Sequence, residues 1–307
     1  AGGEVRLTAG TEDYFTTPPV DGALWWSVLY NGVSQGPFVS NGELTINSNA
    51  VVTWRTDMQT RQSVEARLNW APDGLTGVAD WGLSDPYNVA TAPMALFITD
   101  HLNNLYANDW QAGTPISALQ RTLISGVDVT QYHHFRIEVW PERVEYYVDG
   151  VLRVSHAQPA PLVSSPMAYW VLSTGVQRRF LADWVRCNQY GGSGEYVSCA
   201  VDAGAVVNWG TLSWVGAAPA GTGVSVATRS SVDGASWSGW SAGSGASSQA
   251  IGSPAGRYLQ YRLSLSTSDS VLSPQVDSVT VSTAAGTPVP TPTAGPSATP
   301  TNTSPWT

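Results

Sequence analysis

The residues able to engage a ligand fall into two short groups: Trp81, Asp85 and Tyr87, and then Tyr106, Asn108, Asp109 and Trp110, where aromatic and polar side chains alternate. An indole or phenol ring stacks on the apolar C–H face of a sugar, while nearby Asn, Asp or Arg groups bind its hydroxyls. Both groups are therefore candidate carbohydrate contacts. The competing use is structural. The chain holds 14 tryptophans, and a large sandwich core consumes many of them; Trp209, Trp214, Trp237 and Trp240 are assigned to that use.

Other chemistry is thinly represented. His133 and His134 are adjacent, so a strand sends them to opposite faces and they do not ligate one metal together. Neither they nor His101 and His156 accompany a Gly-x-Ser-x-Gly nucleophile elbow, which the sequence lacks. Asp100, Asp109, Asp128 and Asp183 are oxygen donors for a structural calcium ion but lack EF-hand spacing, so no ligand set is assigned. Asp80 and Asp85 are five residues apart and would point to opposite faces of a regular strand. Glu138 and Glu145 fall on different strands of one hairpin, with Glu142 in its turn. Cys187 and Cys199 enclose a Gly-rich loop of eleven residues, Asn188 to Ser198. A structural disulfide is expected there, contributing about 3 kcal/mol.

Composition narrows the classes further. The net charge is −9, all 14 basic residues are Arg, and there is no Lys. An acidic chain without a basic stripe excludes nucleic acid as a partner, and the absence of Lys excludes Schiff-base chemistry and a Walker-type phosphate lysine. Charged residues are 12%, about half the usual ~25%, so the polar surface comes from Ser, Thr, Asn, Gln and Gly. No apolar run reaches the ~18 residues of a membrane span. The opening Ala1-Gly2-Gly3-Glu4 suits the mature end left by signal-peptide cleavage, and an extracellular, secreted or cell-surface location is expected.

The elements that must carry these residues are strands. Short alternating runs broken by Gly, Asn, Asp and Pro predict strands over Glu43–Ile46, Val51–Trp54, Ser63–Leu68, Met94–Ile98, Phe135–Trp140 and Val144–Val148. Asn41-Gly42 and Asp149-Gly150 predict two-residue hairpin turns. After Gly191 the chain becomes richer in Ser, Ala, Gly and Val, with further strands over Val206–Trp214, Val224–Arg229, Tyr258–Leu265 and Val276–Val281. Asp233-Gly234 is read as another hairpin turn. The expected class is all-β: a large sandwich over residues 1–190, a smaller immunoglobulin- or fibronectin-like sandwich over 195–283, and a Pro/Thr-rich stalk over 284–307. The stalk favours polyproline II from Thr287 to Thr293 and offers Thr287, Thr291, Thr293, Thr299 and Thr301 for O-glycosylation.

The run His133-His134-Phe135-Arg136-Ile137-Glu138-Val139-Trp140, followed by Val144-Glu145-Tyr146-Tyr147-Val148-Asp149-Gly150, resembles a hairpin of the concanavalin A-like lectin/glucanase superfamily. Asp13-Tyr14-Phe15, Ala23-Leu24-Trp25, Ser40-Asn41-Gly42-Glu43-Leu44-Thr45 and Ser63-Val64-Glu65-Ala66-Arg67-Leu68 are similar to its opening strands. The resemblance implies a jelly-roll sandwich over most of residues 1–190. Laminarinase-like members carry Glu-x-Asp-x-x-Glu on a strand, placing a nucleophile and an acid ~5 Å apart, and this sequence has no such motif. The second region is similar to sandwich modules of bacterial exoproteins.

From these readings the expected function is non-catalytic: an extracellular carbohydrate-binding or adhesion protein of the cell surface, with a polysaccharide or glycan as partner. The alternative is a structural subunit of a surface layer or filament, built from copies of the chain through Glu4–Thr8 or the tail. A glycan-active hydrolase is the third reading.

Overall fold

The computed structural model describes residues 4–9, 11–19, 21, 25–29, 38–47, 50–54, 62–74, 77–84, 94–110, 119–158, 168–174, 179–187, 190–285 and 288–289. Every regular element among them is a strand. In order these are β1 (Val5–Arg6), β2 (Thr11–Asp13), β3 (Trp25–Leu29), β4 (Phe38–Ser40), β5 (Glu43–Asn47), β6 (Ala50–Trp54), β7 (Gln62–Asn69) and β8 (Val78–Ser84). Next come β9 (Met94–Thr99), β10 (Leu105–Trp110), β11 (Gln120–Ile124), β12 (His133–Val139), β13 (Arg143–Val148), β14 (Val151–Ala157), β15 (Ala168–Thr174) and β16 (Arg179–Cys187). The last are β17 (Ser193–Val197), β18 (Val201–Val207), β19 (Trp209–Ala217), β20 (Thr222–Ser231), β21 (Ser248–Ala250), β22 (Gly256–Thr267), β23 (Gln275–Thr283) and β24 (Pro288–Val289). The expected all-β class holds.

The chain forms two compact units, Thr11–Asn188 and Ala1–Gly10 with Gln189–Thr307. The larger sandwich is thus inserted into the smaller one, and the first ten residues belong with the end of the chain. The reason is local to the smaller unit. β1 pairs antiparallel with β23, Val5 opposite Val276, and Leu7 and Ala9 are buried in that unit's own core.

In the larger sandwich one sheet runs β11-β10-β9-β8-β15-β6-β3 and the other β14-β13-β12-β7-β16-β5-β4, with β2 also on β16. The predicted turns appear as expected: Asn41 and Gly42 have φ of +54° and +77°, and Asp149 and Gly150 +52° and +76°, the conformation that Asn-Gly and Asp-Gly accept most readily. Alternation along each strand sends one row inward. Ala79, Trp81 and Leu83 of β8 meet Ala95 and Phe97 of β9 and, from the facing sheet, Phe135, Ile137 and Tyr146. Aromatic rings dominate this core. Phe97 lies edge-on to Phe135 at 5.1 Å and to Tyr146 at 5.2 Å, and Trp70 edge-on to Phe180 at 5.2 Å, the geometry that ring quadrupoles favour.

The smaller sandwich packs the sheet β1-β23-β19-β21, with β24 on β23, against β17-β22-β18, with β20 on β22. The stretch read as one strand over Val206–Trp214 is divided between β18 and β19, which are separated at Asn208. Asp233 does not form a two-residue hairpin. Its Oδ1 accepts hydrogen bonds from the Ala235 and Ser236 amides and from Ser231 Oγ, opening a longer loop between β20 and β21. Pro288–Val289, expected in polyproline II, pairs as a short edge strand with Val281 and Ser282. The five candidate O-glycosylation threonines lie outside the described residues.

The expected disulfide is corrected: Cys187 and Cys199 are both free. Cys187 ends β16 inside the core of the larger sandwich, whereas Cys199 is exposed in the smaller unit. Burial, and then the charge of Glu65, push the Cys187 thiol well above the ordinary thiol range, so it stays protonated and inert.

Gly82 tests how tightly β8 is held. Its φ is +148°, and an added Cβ would run into the Ala95 carbonyl and lie 2.7 Å from Ile137 Cδ1. Gly74, with φ +70°, has nothing within 4 Å of such a Cβ. In urea unfolding, Gly82→Ala should cost about 2–4 kcal/mol through strain and overpacking together, against about 1 kcal/mol for Gly74→Ala. Equal costs would show that β8 yields readily.

Candidate functional site

With Ala79, Trp81 and Leu83 committed to the core, Asp80 must stand on the outer face of the seven-stranded sheet. Its register makes a row: Asp80 opposite Ile98, Ile98 opposite Tyr106, Tyr106 opposite Leu123. The next row on that face is Gly82, Leu96, Asn108 and Arg121. Leu96 and Trp110 are buried although neither belongs to the core cluster, so part of this outer face is covered. Arg121 is exposed, with its guanidinium carbon 3.9 Å above the Tyr106 ring.

The electrostatics single out Asp80. Its Oδ1 is shut from solvent without a hydrogen-bond partner. Burial pushes its carboxyl up to about 7, against the opposing pull of the Arg121 charge. A carboxyl of this kind is still substantially protonated near neutral pH and can donate a proton. Asn108 Oδ1 is likewise buried without a partner. Two acceptors on one face thus lack donors, beside an arginine and a tyrosine.

The other sequence candidates have different placements. Trp81 is fully buried, stacked on Phe97 at 6.0 Å, so its ring cannot meet a ligand. Asp109 points inward and accepts a hydrogen bond from Gln158 Nε2 at 2.5 Å, besides pairing with His156. Tyr106 is half-buried and its hydroxyl donates to Asp100 Oδ2 at 3.2 Å. Tyr106, Asn108 and Trp110 share the Asp80 face; Trp81 and Asp109 do not. Asp85 and Tyr87 lie outside the described residues.

The outer face of the eight-stranded sheet is charged, but its carboxylates are paired. Glu138 and Glu145 sit directly opposite each other in register, closer than their assignment to separate strands suggests. Each has its own arginine: Arg136 Nε lies 3.2 Å from Glu138, and Arg143 Nε 2.7 Å from Glu145. Glu65 binds His134 Nε2 at 2.8 Å and Arg186 at 3.5 Å. His133 instead bonds Asp149 Oδ2 at 2.6 Å, as opposite-facing neighbours require. These carboxylates act as charged acceptors within ion pairs.

The calcium donors are spent separately. Asp100 accepts from the Leu102 and Asn104 amides, Asp109 pairs with His156, Asp128 accepts from Thr130, and Asp183 accepts from Arg67. Among the described residues no three metal-ligating side chains converge. In the smaller sandwich Trp209 is core and the half-buried Trp214 packs against that core, whereas Trp237 and Trp240 are half-buried outside it. Arg229 stands 5.0 Å from the Trp237 ring and 4.5 Å from that of Trp240, and Arg262 5.0 Å from Trp240. This is a cation–π ladder rather than core.

No protein-family model matches the chain, and no curated protein matches it. Among solved structures it is similar to the laminarinase catalytic domain of Thermotoga maritima, at 17% identity and a TM-score of 0.49, over 59% of this chain and 97% of that one. It is also similar to an endo-β-1,3-glucanase from Pyrococcus furiosus (14%, 0.49, covering 59% and 94%) and to Bacillus licheniformis β-glucanase (13%, 0.46, 59% and 98%). The expectations of a non-catalytic lectin or adhesin and of a chain that is not an enzyme are corrected. The similar structures are a laminarinase catalytic domain and an endo-β-1,3-glucanase, and burial raises the outward carboxyl of Asp80 to about 7 although the chain has no Glu-x-Asp-x-x-Glu strand.

Proposed function

We propose that the larger sandwich is a glycan-active hydrolase domain that lays a polysaccharide segment across the outer face of its seven-stranded sheet. The observation that carries this reading is Asp80, a carboxyl raised to about 7 on that face with an unpartnered oxygen. Arg121, exposed on that face, offers donors to sugar hydroxyls, and the half-buried Tyr106 beneath it adds aromatic contact. Asp80 gives its proton to the leaving glycosidic oxygen as the anomeric carbon is attacked from the opposite side. A second carboxylate completes such chemistry. The only Asp or Glu residues outside the described set are Asp57 and Asp85, each following a strand of this same sheet, β6 and β8. They enter the proposal as the second group. An extracellular location belongs to the same reading, supported by the Pro/Thr-rich tail and by the absence of Lys, with the smaller unit as an immunoglobulin-like module.

Reducing-end release from β-1,3- and mixed-linkage β-glucans is the direct assay. Wild type should cleave at least one, and Asp80→Asn should lose about 10²–10⁴-fold in kcat. Asp57→Asn or Asp85→Asn should lose comparably. If wild type releases nothing from a broad glycan panel, or if Asp80→Asn cleaves normally, the reading fails.

The same variant reports the state of Asp80 through stability. With its pKa raised from 3.8 to about 7, the folded chain holds a proton that the unfolded chain has lost. Stability therefore falls as pH rises through that window. Asparagine stays neutral throughout, so from pH 4 to pH 8 Asp80→Asn should gain on wild type by about 2–4 kcal/mol in urea unfolding. Parallel pH curves would mean that Asp80 titrates as an ordinary exposed carboxylate.

A further inference from the structure

At the rim of the larger sandwich, where edge strand β11 of one sheet comes beside edge strand β14 of the other, three side chains form a chain of hydrogen bonds. Asp109 Oδ1 pairs with His156 Nδ1, and His156 Nε2 lies 2.8 Å from Thr122 Oγ1. Asp109 is further held by Gln158 Nε2 at 2.5 Å and by the Tyr146 hydroxyl at 3.3 Å. Exposure rises along the chain: Asp109 is 1% exposed, His156 7%, and Thr122 is open to solvent. A carboxylate accepting the Nδ1–H leaves the Nε2 lone pair facing the threonine hydroxyl. An exposed hydroxyl, a base within hydrogen-bond reach and a buried group orienting that base are the parts an activated nucleophile requires.

We propose that Thr122 is a nucleophile for acyl transfer, with His156 as its general base and Asp109 as the residue that positions the ring, acting on small carboxylic esters that reach the rim. Thr122 Oγ bonds to the ester carbonyl carbon as its proton passes to His156 Nε2. The tetrahedral adduct expels the alcohol, which takes that proton and leaves an acyl-threonine. Water then attacks the acyl carbon, His156 accepts a proton from it and returns one to Thr122 Oγ, and the carboxylic acid departs. Ester and water become acid and alcohol, with no other reactant. The site is separate from Asp80, which faces outward on β8.

The test uses the intact chain, a fluorophosphonate probe and p-nitrophenyl acetate. Peptide mass spectrometry should find the phosphonyl adduct on Thr122, and acetate release should fall at least 100-fold in both Thr122→Val and His156→Ala, with folding verified by circular dichroism. Thr122→Ser alters only a methyl group at an exposed position and should keep both the adduct and turnover. Asp109→Asn should lower kcat at least 10-fold while KM stays within twofold, a split that loss of a purely structural clasp does not give. Absence of the Thr122 adduct in folded wild type, or its persistence in His156→Ala, overturns the proposal. Because glucan cleavage is read separately, either activity can fail without the other.

Discussion

The face that Asp80 occupies is set by the burial of Trp81. The indole stacks on Phe97 and lies 6.5 Å from Phe135 across the sandwich, and Gly82 lets the backbone of β8 close against Ala95 and Ile137. A one-residue slip of β8 would turn Trp81 out and drive Asp80 into an aromatic core. Exposing a large ring forfeits about 2–3 kcal/mol, and burying a carboxylate without a partner costs several more. The register is therefore fixed by the core, and the outward position of Asp80 follows from it without any contact of its own.

The two sheets treat their outward carboxylates in opposite ways. On the eight-stranded sheet Glu65, Glu138 and Glu145 each have an arginine within ion-pair distance. The Glu65–Arg186 pair joins neighbouring strands β7 and β16, whereas the other two pairs lie within β12 and within β13. On the seven-stranded sheet Asp80 lies opposite Ile98, in a row that continues to Tyr106 and Leu123, and Arg121 offsets its desolvation only in part. The rim adds a third arrangement, in which Asp109 is paired with a histidine that reaches a solvent-facing hydroxyl. One fold thus offers paired, burial-raised and relayed carboxylates, distinguished by the groups packed around each.

Much of the architecture is local and can be read from the chain. Asn41-Gly42 and Asp149-Gly150 announce their turns, and alternation announces β7, β9, β12 and β13. Long-range relations leave no such mark. Nothing in Val5-Arg6 points to a partner at Gln275-Val276, and the short spacing of Cys187 and Cys199 conceals that a sandwich boundary falls between them. Part of the candidate site was visible in the alternating group Tyr106, Asn108 and Trp110. Asp109 belongs to the same group by sequence but to the opposite face by the same alternation, and Trp81 reads as a sugar platform until its neighbours are known to be core. Asp80 itself was legible as a lone carboxyl between Ala79 and Trp81. What marks it, the apolar row across β9 to β11, exists only once the strands are paired.

Titration of the Asp80 carboxyl carbon by carbon-13 NMR in the intact chain, assigned by loss of the signal in Asp80→Asn, measures the central quantity directly. Burial of the carboxyl, opposed in part by Arg121, predicts a midpoint at about 7. A midpoint near 4 would show a solvated, ordinary carboxylate and would remove the basis for acid catalysis on this face.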